Sequence, residues 1–447
     1  MNLKSANSLL LLFFQLLFIF STKCFASGLE NNEEPSIEIE EQVNVFIGKV
    51  IGPVTYAGSG WLSGAFSNEQ PGDKLLLPLK TQRVRGREDY ITSVYDKCKK
   101  LGISMELVTN RKSDWRELAL DGTDDMTSYI ERHTALVNRM LDRGMGDVSY
   151  SIFQESNARG LGWIESNEPF YLEAYRLAFN AIKEADPSAL VVGPNAQWGP
   201  WTWWWEEHEG DYTWFIRKFI DFCIDNQCMP DIIAWHDGYH CNGFGIAQAA
   251  EEIRNYLEEK GIPPIPLEQD DVGCKDGQFR PGTYVSYLAN IERANITYSC
   301  KCCWDRDCHI NTLQGMLTKT NREPRSLWWM YKSYGDLAGQ IVKVEPGHTV
   351  DGVVAIDKSA DIIRAVIGRF EDSSEPVLIR FQGIESRFKS AEVIAERIEN
   401  SEDKPLENPE KTIEQSIKVK NDQIEVLLDD MGSYDAYTLT ITLSEKK

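Results

Sequence analysis

From about Val43 to Gly339 the chain repeats one pattern eight times: a short apolar run of β character, then a longer run with apolar residues at helical spacing. Strands that alternate with helices imply a parallel sheet joined by right-handed crossovers. The length of this region suits an α/β fold in which the eight units close into a (β/α)8 barrel, typically ~250 residues before insertions. A doubly wound open sheet is the competing arrangement, but no G-x-G-x-x-G follows the first strand. The expected strands are Asn44–Gly52, Thr81–Gly86, Ile103–Asn110, a fourth within VSYSIFQESN (Val148–Asn157), Leu190–Gln197, Asp231–His240, Ile262–Asp271 and Ile296–Asp305. Gly102 is placed to stop the helix ahead of the third. Thr55–Phe66 (TYAGSGWLSGAF) reads as a glycine-rich loop after the first strand; without a following Lys-Ser/Thr it is a shaped wall rather than a phosphate cradle.

Past Gly339 the pattern changes to short β-branched runs separated by turn residues, among them IVKVEP, TVDGVVAID, IIRAVIGRF and AYTLTITLS. These predict a C-terminal antiparallel β-sandwich over residues 340–447, which a strand from residues 35–43 can join, with the barrel occupying 43–339. The charged stretch ENSEDKPLENPEK (Glu399–Lys411) reads as an exposed loop.

The N-terminus carries Lys4, the apolar run Leu9–Phe20 and a small residue at Ala26. The run is too short to span a bilayer, so residues 1–26 read as a secretory signal and the mature protein as soluble and secreted, with no membrane partner. Removing Lys4 and Lys23 leaves 45 basic against 69 acidic residues, a formal charge of 45 − 69 = −24. Such a charge argues against a nucleic-acid partner. Nine cysteines remain after loss of Cys24, and in an oxidising compartment several should pair. The cluster Cys300–Cys308 lacks the repeated C-x2-C spacing of zinc sites, so disulfides around a loop are the better expectation. The one sequon is at Asn295.

Barrel active sites lie at the carboxyl ends of the strands, so residues that end strands are the candidates. Glu155 ends the fourth and Glu268 the seventh, and two carboxylates across a cleft suit cleavage of a glycosidic bond. Asp270 and Asp271 are alternatives to Glu268, because a shift of two or three residues in register would exchange them. Arg85 competes with Arg83 on the reading that only one of them points inward. After the fifth strand, the tryptophan-rich run Gln197–Trp214, with Trp198 and Trp201, offers aromatic faces on which sugars stack; Trp61 and Trp235 are further candidates.

Glutamates ending barrel strands four and seven, the first in IFQESN, resemble the clan A glycoside hydrolases, most closely families 39 and, next, 79. The likeness covers roughly residues 45–340. It implies that Glu155 is the acid/base, Glu268 the nucleophile, Arg83 its support, and that hydrolysis retains configuration. His236 and Tyr239 in AWHDGYH would match the strand-six segment, and Trp304 the aromatic at the end of strand eight. Gln154 stands where the clan has an asparagine. The reading is therefore a secreted retaining hydrolase of a β-linked oligo- or polysaccharide with no metal or organic cofactor. The alternative, favoured by Gln154, is a carbohydrate-binding protein on the same barrel that no longer cuts.

Overall fold

The computed structural model describes residues 41–109, 126–154, 168–197, 214–236, 241–304, 310–359 and 361–445. Eight parallel strands close a barrel: β2 (Gly60–Leu62), β3 (Arg83–Gly86), β4 (Ser104–Val108), β5 (Ser149–Ser151), β6 (Val191–Gln197), β7 (Ile232–His236), β8 (Leu267–Val272) and β9 (Tyr298–Lys301). The longer helices around it are α1 (Glu88–Leu101), α2 (Thr127–Asp142), α3 (Glu168–Ala185), α4 (Trp214–Asn226), α5 (Phe244–Glu259), α6 (Pro281–Arg293) and α7 (Ser326–Gly335). Helix α1 shows the local logic. Glu88 and Asp89 occupy its first turn, Lys99 and Lys100 its last, and Gly102 caps it at φ 72°, its N–H reaching the carbonyls of Cys98 and Lys99. Among the described residues no helix is long and apolar enough to cross a membrane.

The second sheet has nine strands in the order β15-β14-β17-β12-β11-β10-β1-β13-β16. They are β1 (Glu41–Pro53), β10 (Gln340–Glu345), β11 (Val350–Asp357), β12 (Ile362–Arg369), β13 (Val377–Gln382), β14 (Phe388–Ile398), β15 (Glu410–Lys418), β16 (Gln423–Leu428) and β17 (Ala436–Glu445). One face of these strands closes on a common apolar core that includes Val43, Val354, Ile363, Phe381, Val393, Val426 and Ile441. All pairings are antiparallel except β1 on β13, so the sheet is mixed.

Two assignments change. Asn44–Gly52 is not the first barrel strand: it lies within β1, whose alternating Val43, Val45 and Ile47 face the core of the second sheet. The first barrel strand is Gly60–Leu62, inside the segment expected to be a loop. A three-residue strand has no room to display a period, whereas β1 carries a clear one. No strand is expected from the sequence over β14 (FKSAEVIAERI); its Ala, Glu and Arg favour helix, yet Ala391, Val393 and Ala395 alternate toward the core in the folded chain.

The cysteines pair in part, as expected. Cys241 pairs with Cys274, Cys303 is disulfide-bonded, and Cys300 is a free thiol. Trp61 and Trp235 are fully buried in the barrel wall, Trp61 donating to Thr81 Oγ1 at 2.8 Å and meeting Tyr331 edge-on. They are core residues, not sugar platforms.

Candidate active site

Residues two apart on a strand share a face, so Arg83 and Arg85 on β3 both point into the barrel, against the expectation that only one could. Each guanidinium organises one deck of side chains. In the lower deck Arg83 Nε and Nη2 donate to Glu268 Oε1 and Oε2 at 2.8 and 2.6 Å. Its Nη1 reaches Ser104 Oγ at 2.9 Å and its plane lies 4.5 Å above the Tyr298 ring. In the upper deck Arg85 Nε donates to Glu106 Oε1 at 2.9 Å and lies 3.1 Å from Asp270 Oδ2, while Nη1 lies 3.8 Å from Asp271 Oδ1. Glu106 joins the decks, since its Oε2 also accepts from Arg83 Nη2 at 3.0 Å.

Asp270 and Asp271 are chain neighbours and should face opposite sides of β8. They do not, because the β8–β9 register shifts between Gln269 and Val272, and Asp271 has φ 53°. This bulge turns both carboxylates toward the barrel axis. Asp271 Oδ2 then lies 3.2 Å from His236 Nδ1, and Asp270 Oδ2 lies 3.9 Å from His236 Nε2. A second bulge interrupts β6 at Asn195, φ 53°, whose buried Nδ2 donates to Ser151 Oγ at 2.8 Å. Ser151 Oγ in turn lies 3.3 Å from Arg85 Nη2 and donates to the Phe153 carbonyl at 3.2 Å. Gln154 follows, half-buried.

Four carboxylates share two guanidiniums here, so the cluster holds an excess of negative charge. Burial pushes Glu106 up, but Arg85 and Arg83 outweigh it and keep that group below the ordinary carboxylate range. Burial also pushes Glu268 up, opposed by Arg83 and reinforced by Glu106 and Asp270, and the net direction is upward. Asp270 is driven up to about 7 by burial, opposed by Arg85 and His236 and reinforced by Glu106 and Asp271. One oxygen each of Glu268 and Asp270 lies with Cys300 Sγ within 4.8 Å, all three buried. With both guanidiniums already on these carboxylates, the trio fits the charge network rather than a cation.

The structure thus brings Arg83, Glu268 and His236 into one barrel interior, but on two levels. Glu268 is the second residue of β8, level with Ala234 and Tyr298, whereas Asp270 is level with His236 at the end of β7. Glu268 is fully buried; Asp271, at 8% exposure, is the one of the three β8 carboxylates with surface to spare. Trp304 stands beyond β9 at 43% exposure, its indole N–H donating to the Gly273 carbonyl at 3.1 Å. Glu155, Trp198, Trp201 and Tyr239 lie outside the described residues. Sequence reasoning missed Glu106, Ser151 and Asn195. A lone carboxylate in the apolar run ISMELV was the available signal for the first.

No protein-family model matches the chain. It is 22% identical over 290 residues to a 3-O-α-D-galactosyl-α-L-arabinofuranosidase of Bifidobacterium longum subsp. longum, a match covering 61% of this chain and 24% of that one. The chain therefore spans about a quarter of the length of this relative. Among solved structures, N2152 from Neocallimastix frontalis matches 90% of this chain and 100% of its own, with TM-score 0.76 and 21% identity. A GH39 enzyme from Xanthomonas axonopodis pv. citri matches 93% of this chain and 100% of its own, with TM-score 0.59 and 13% identity. At these identities the structural likeness carries the fold: a parallel (β/α)8 barrel with an attached β-sheet domain, in keeping with the resemblance to clan A and family 39.

Proposed function

We propose that the protein is a secreted glycoside hydrolase that cleaves a β-linked glycan with retention of configuration, and that Asp271 on β8, rather than Glu268, is its attacking carboxylate. The carrying observation is the upper deck: Asp271 set between Arg85 and His236 at the carboxyl ends of β3, β7 and β8. The same Arg85 reaches the Phe153 carbonyl at 3.5 Å, two residues before Glu155. Glu268 lies three residues earlier on β8, with both oxygens taken by Arg83, and serves as a positioning residue for the deck above. In the reaction Asp271 attacks the anomeric carbon as Glu155 gives its proton to the departing oxygen. Glu155 then takes a proton from water, which attacks the same carbon and releases the aspartate. Export is supported by the Cys241–Cys274 disulfide together with the N-terminal apolar run. The glycosidase name carried by the sequence relative supports the reaction class.

The test is a panel of aryl β-glycosides and oligosaccharides with Glu155→Gln, Asp271→Gly, Asp270→Asn and Glu268→Gln variants. Glu155→Gln should lose about 10²–10⁴ in rate on substrates with poor leaving groups. Asp271→Gly should be inactive and regain turnover in azide, with a glycosyl azide of inverted configuration. Inverted azide product from a Glu268 variant, with Asp271→Gly still active, would return the nucleophile to Glu268. Glycan binding without turnover by the wild type on every substrate would instead favour the non-cutting reading that Gln154 suggests.

A further inference from the structure

A crevice of about 590 Å³ opens beside the carboxyl ends of β3 and β4, between the start of α1 and the body of α2. That volume is in the range of ligand sites. Its lining carries four arginines, Arg87, Arg132, Arg139 and Arg143, against two carboxylates, Glu88 and Asp89, an excess of 4 − 2 = 2 positive charges. The chain as a whole carries a formal charge of −22, so this is a local reversal of sign.

The arginines are not equivalent. Glu88 accepts from Arg139 Nε and Nη2 at 3.1 and 2.8 Å and from Arg143 Nη1 at 3.2 Å, so one carboxylate fixes two guanidiniums and leaves one positive charge over. Arg87 stands 3.6 Å from Asp89, too far for a close hydrogen-bonded pair. Arg132 is exposed and has no ion-pair partner among the described residues. Guanidiniums in such a setting suit a planar or tetrahedral oxyanion, which they can bind at two points. The crevice also lies at the carboxyl ends of the barrel strands, the same end as the upper deck. Arg87 follows β3 directly and is two residues from Arg85, which holds the aspartates of the upper deck. Two extended residues span roughly 6–7 Å, so the crevice lies within reach of neighbouring rings of a chain held at the mouth.

We propose that this crevice is an accessory subsite for an anionic substituent, a carboxylate or a sulfate, on the glycan that the barrel binds. The inference rests on the glycan reading of the mouth, but it is tested separately by direct binding. Titration calorimetry would compare a glucuronate-bearing oligosaccharide, the same compound after carboxyl reduction, and a sulfated oligosaccharide, with wild type and an Arg87→Ala/Arg132→Ala double variant. Both side chains are on the surface, and a thermal melt confirms that the variant is folded. The wild type should bind at least one acidic compound about tenfold more tightly than the reduced one, an advantage that shrinks as salt is raised and disappears in the double variant. An advantage for the glucuronate compound names carboxylate as the ligand; one confined to the sulfated compound names sulfate. Equal binding of all three, or an acidic preference that survives the double substitution, would overturn the proposal. Turnover of neutral glycosides by the wild type reports on the hydrolase reading alone, so the two can fail independently.

Discussion

Asp270 couples the candidate site to pH through its burial beside Arg85. Its carboxyl lies buried beside Arg85, with Glu106 and Asp271 as like charges around it, and burial first and those charges second drive it up to about 7. In the unfolded chain an aspartate titrates near ~3.9. The folded state therefore holds this proton over the interval in which the unfolded state has lost it, and the stabilisation present below about pH 4 is lost as the pH rises through about 7. Asp270→Asn keeps the shape without the charge. Its unfolding free energy, measured in urea from pH 4 to 8, should fall less steeply than that of the wild type and exceed it above pH 7. Parallel curves would mean that Asp270 is already ionised at pH 4. Much of this site was legible in the sequence as chemistry and little of it as geometry. Glu268, Asp270 and Asp271 were all visible as strand-seven carboxylates, and Arg83 and Arg85 as their partners. Which of them reaches the mouth depends on a bulge and a positive φ at Asp271, and a pattern of alternation cannot announce where it will be broken.

Among the elements, β2 and β14 were the ones sequence pattern failed to find, for opposite reasons. β14 alternates over Ala391, Val393 and Ala395 between register shifts at both ends, its residues favour helix, and its place between β15 and β17 overrides their preference. β2 is too short for any alternation and exists because the barrel must close: Gly60 pairs with Arg83 on one side and Trp61 with Lys301 on the other. Glycine is required at that seam. A Cβ on Gly60 would stand 2.0 Å from the Ser299 carbonyl oxygen, a backbone atom that cannot swing aside. Gly60→Ala should therefore cost at least the roughly 1–3 kcal/mol of an overpacked core, read as a lower urea midpoint. Gly48, in β1, has nothing within 4 Å of its added Cβ, and Gly48→Ala should stay within about 0.5 kcal/mol of wild type. Equal effects at the two positions would show that barrel closure does not depend on that close approach.

At the scale of the molecule the question is whether barrel and sheet are two stable bodies or one. Their cores are shared: Val353, Ala355, Val366, Ile398 and Ala436, from the outer face of the sheet, belong to the same apolar cluster as the barrel and its helices. Helix α6 is buried along nearly its whole length, and a Cβ on Gly282 would meet the Arg369 and Asp435 carbonyl oxygens of the sheet at 2.0 and 2.5 Å. A charged contact crosses the same boundary. Asp351, fully buried on β11, accepts from Arg293 Nη2 at 2.8 Å and from Asn290 Nδ2 at 3.3 Å, both on α6. Bodies joined this way should unfold together, so calorimetry should give one transition whose calorimetric and van't Hoff enthalpies agree. Asp351→Ala strips partners from Arg293 and Asn290. Because Arg293 is about a quarter exposed, the loss should fall at or below the lower end of the roughly 3–5 kcal/mol expected for half of a buried pair. The variant should shift the single transition downward as a whole. If its trace splits into two peaks, with the upper one at the wild-type temperature, the barrel is stable without its sheet, and the shared core contributes less than its burial implies.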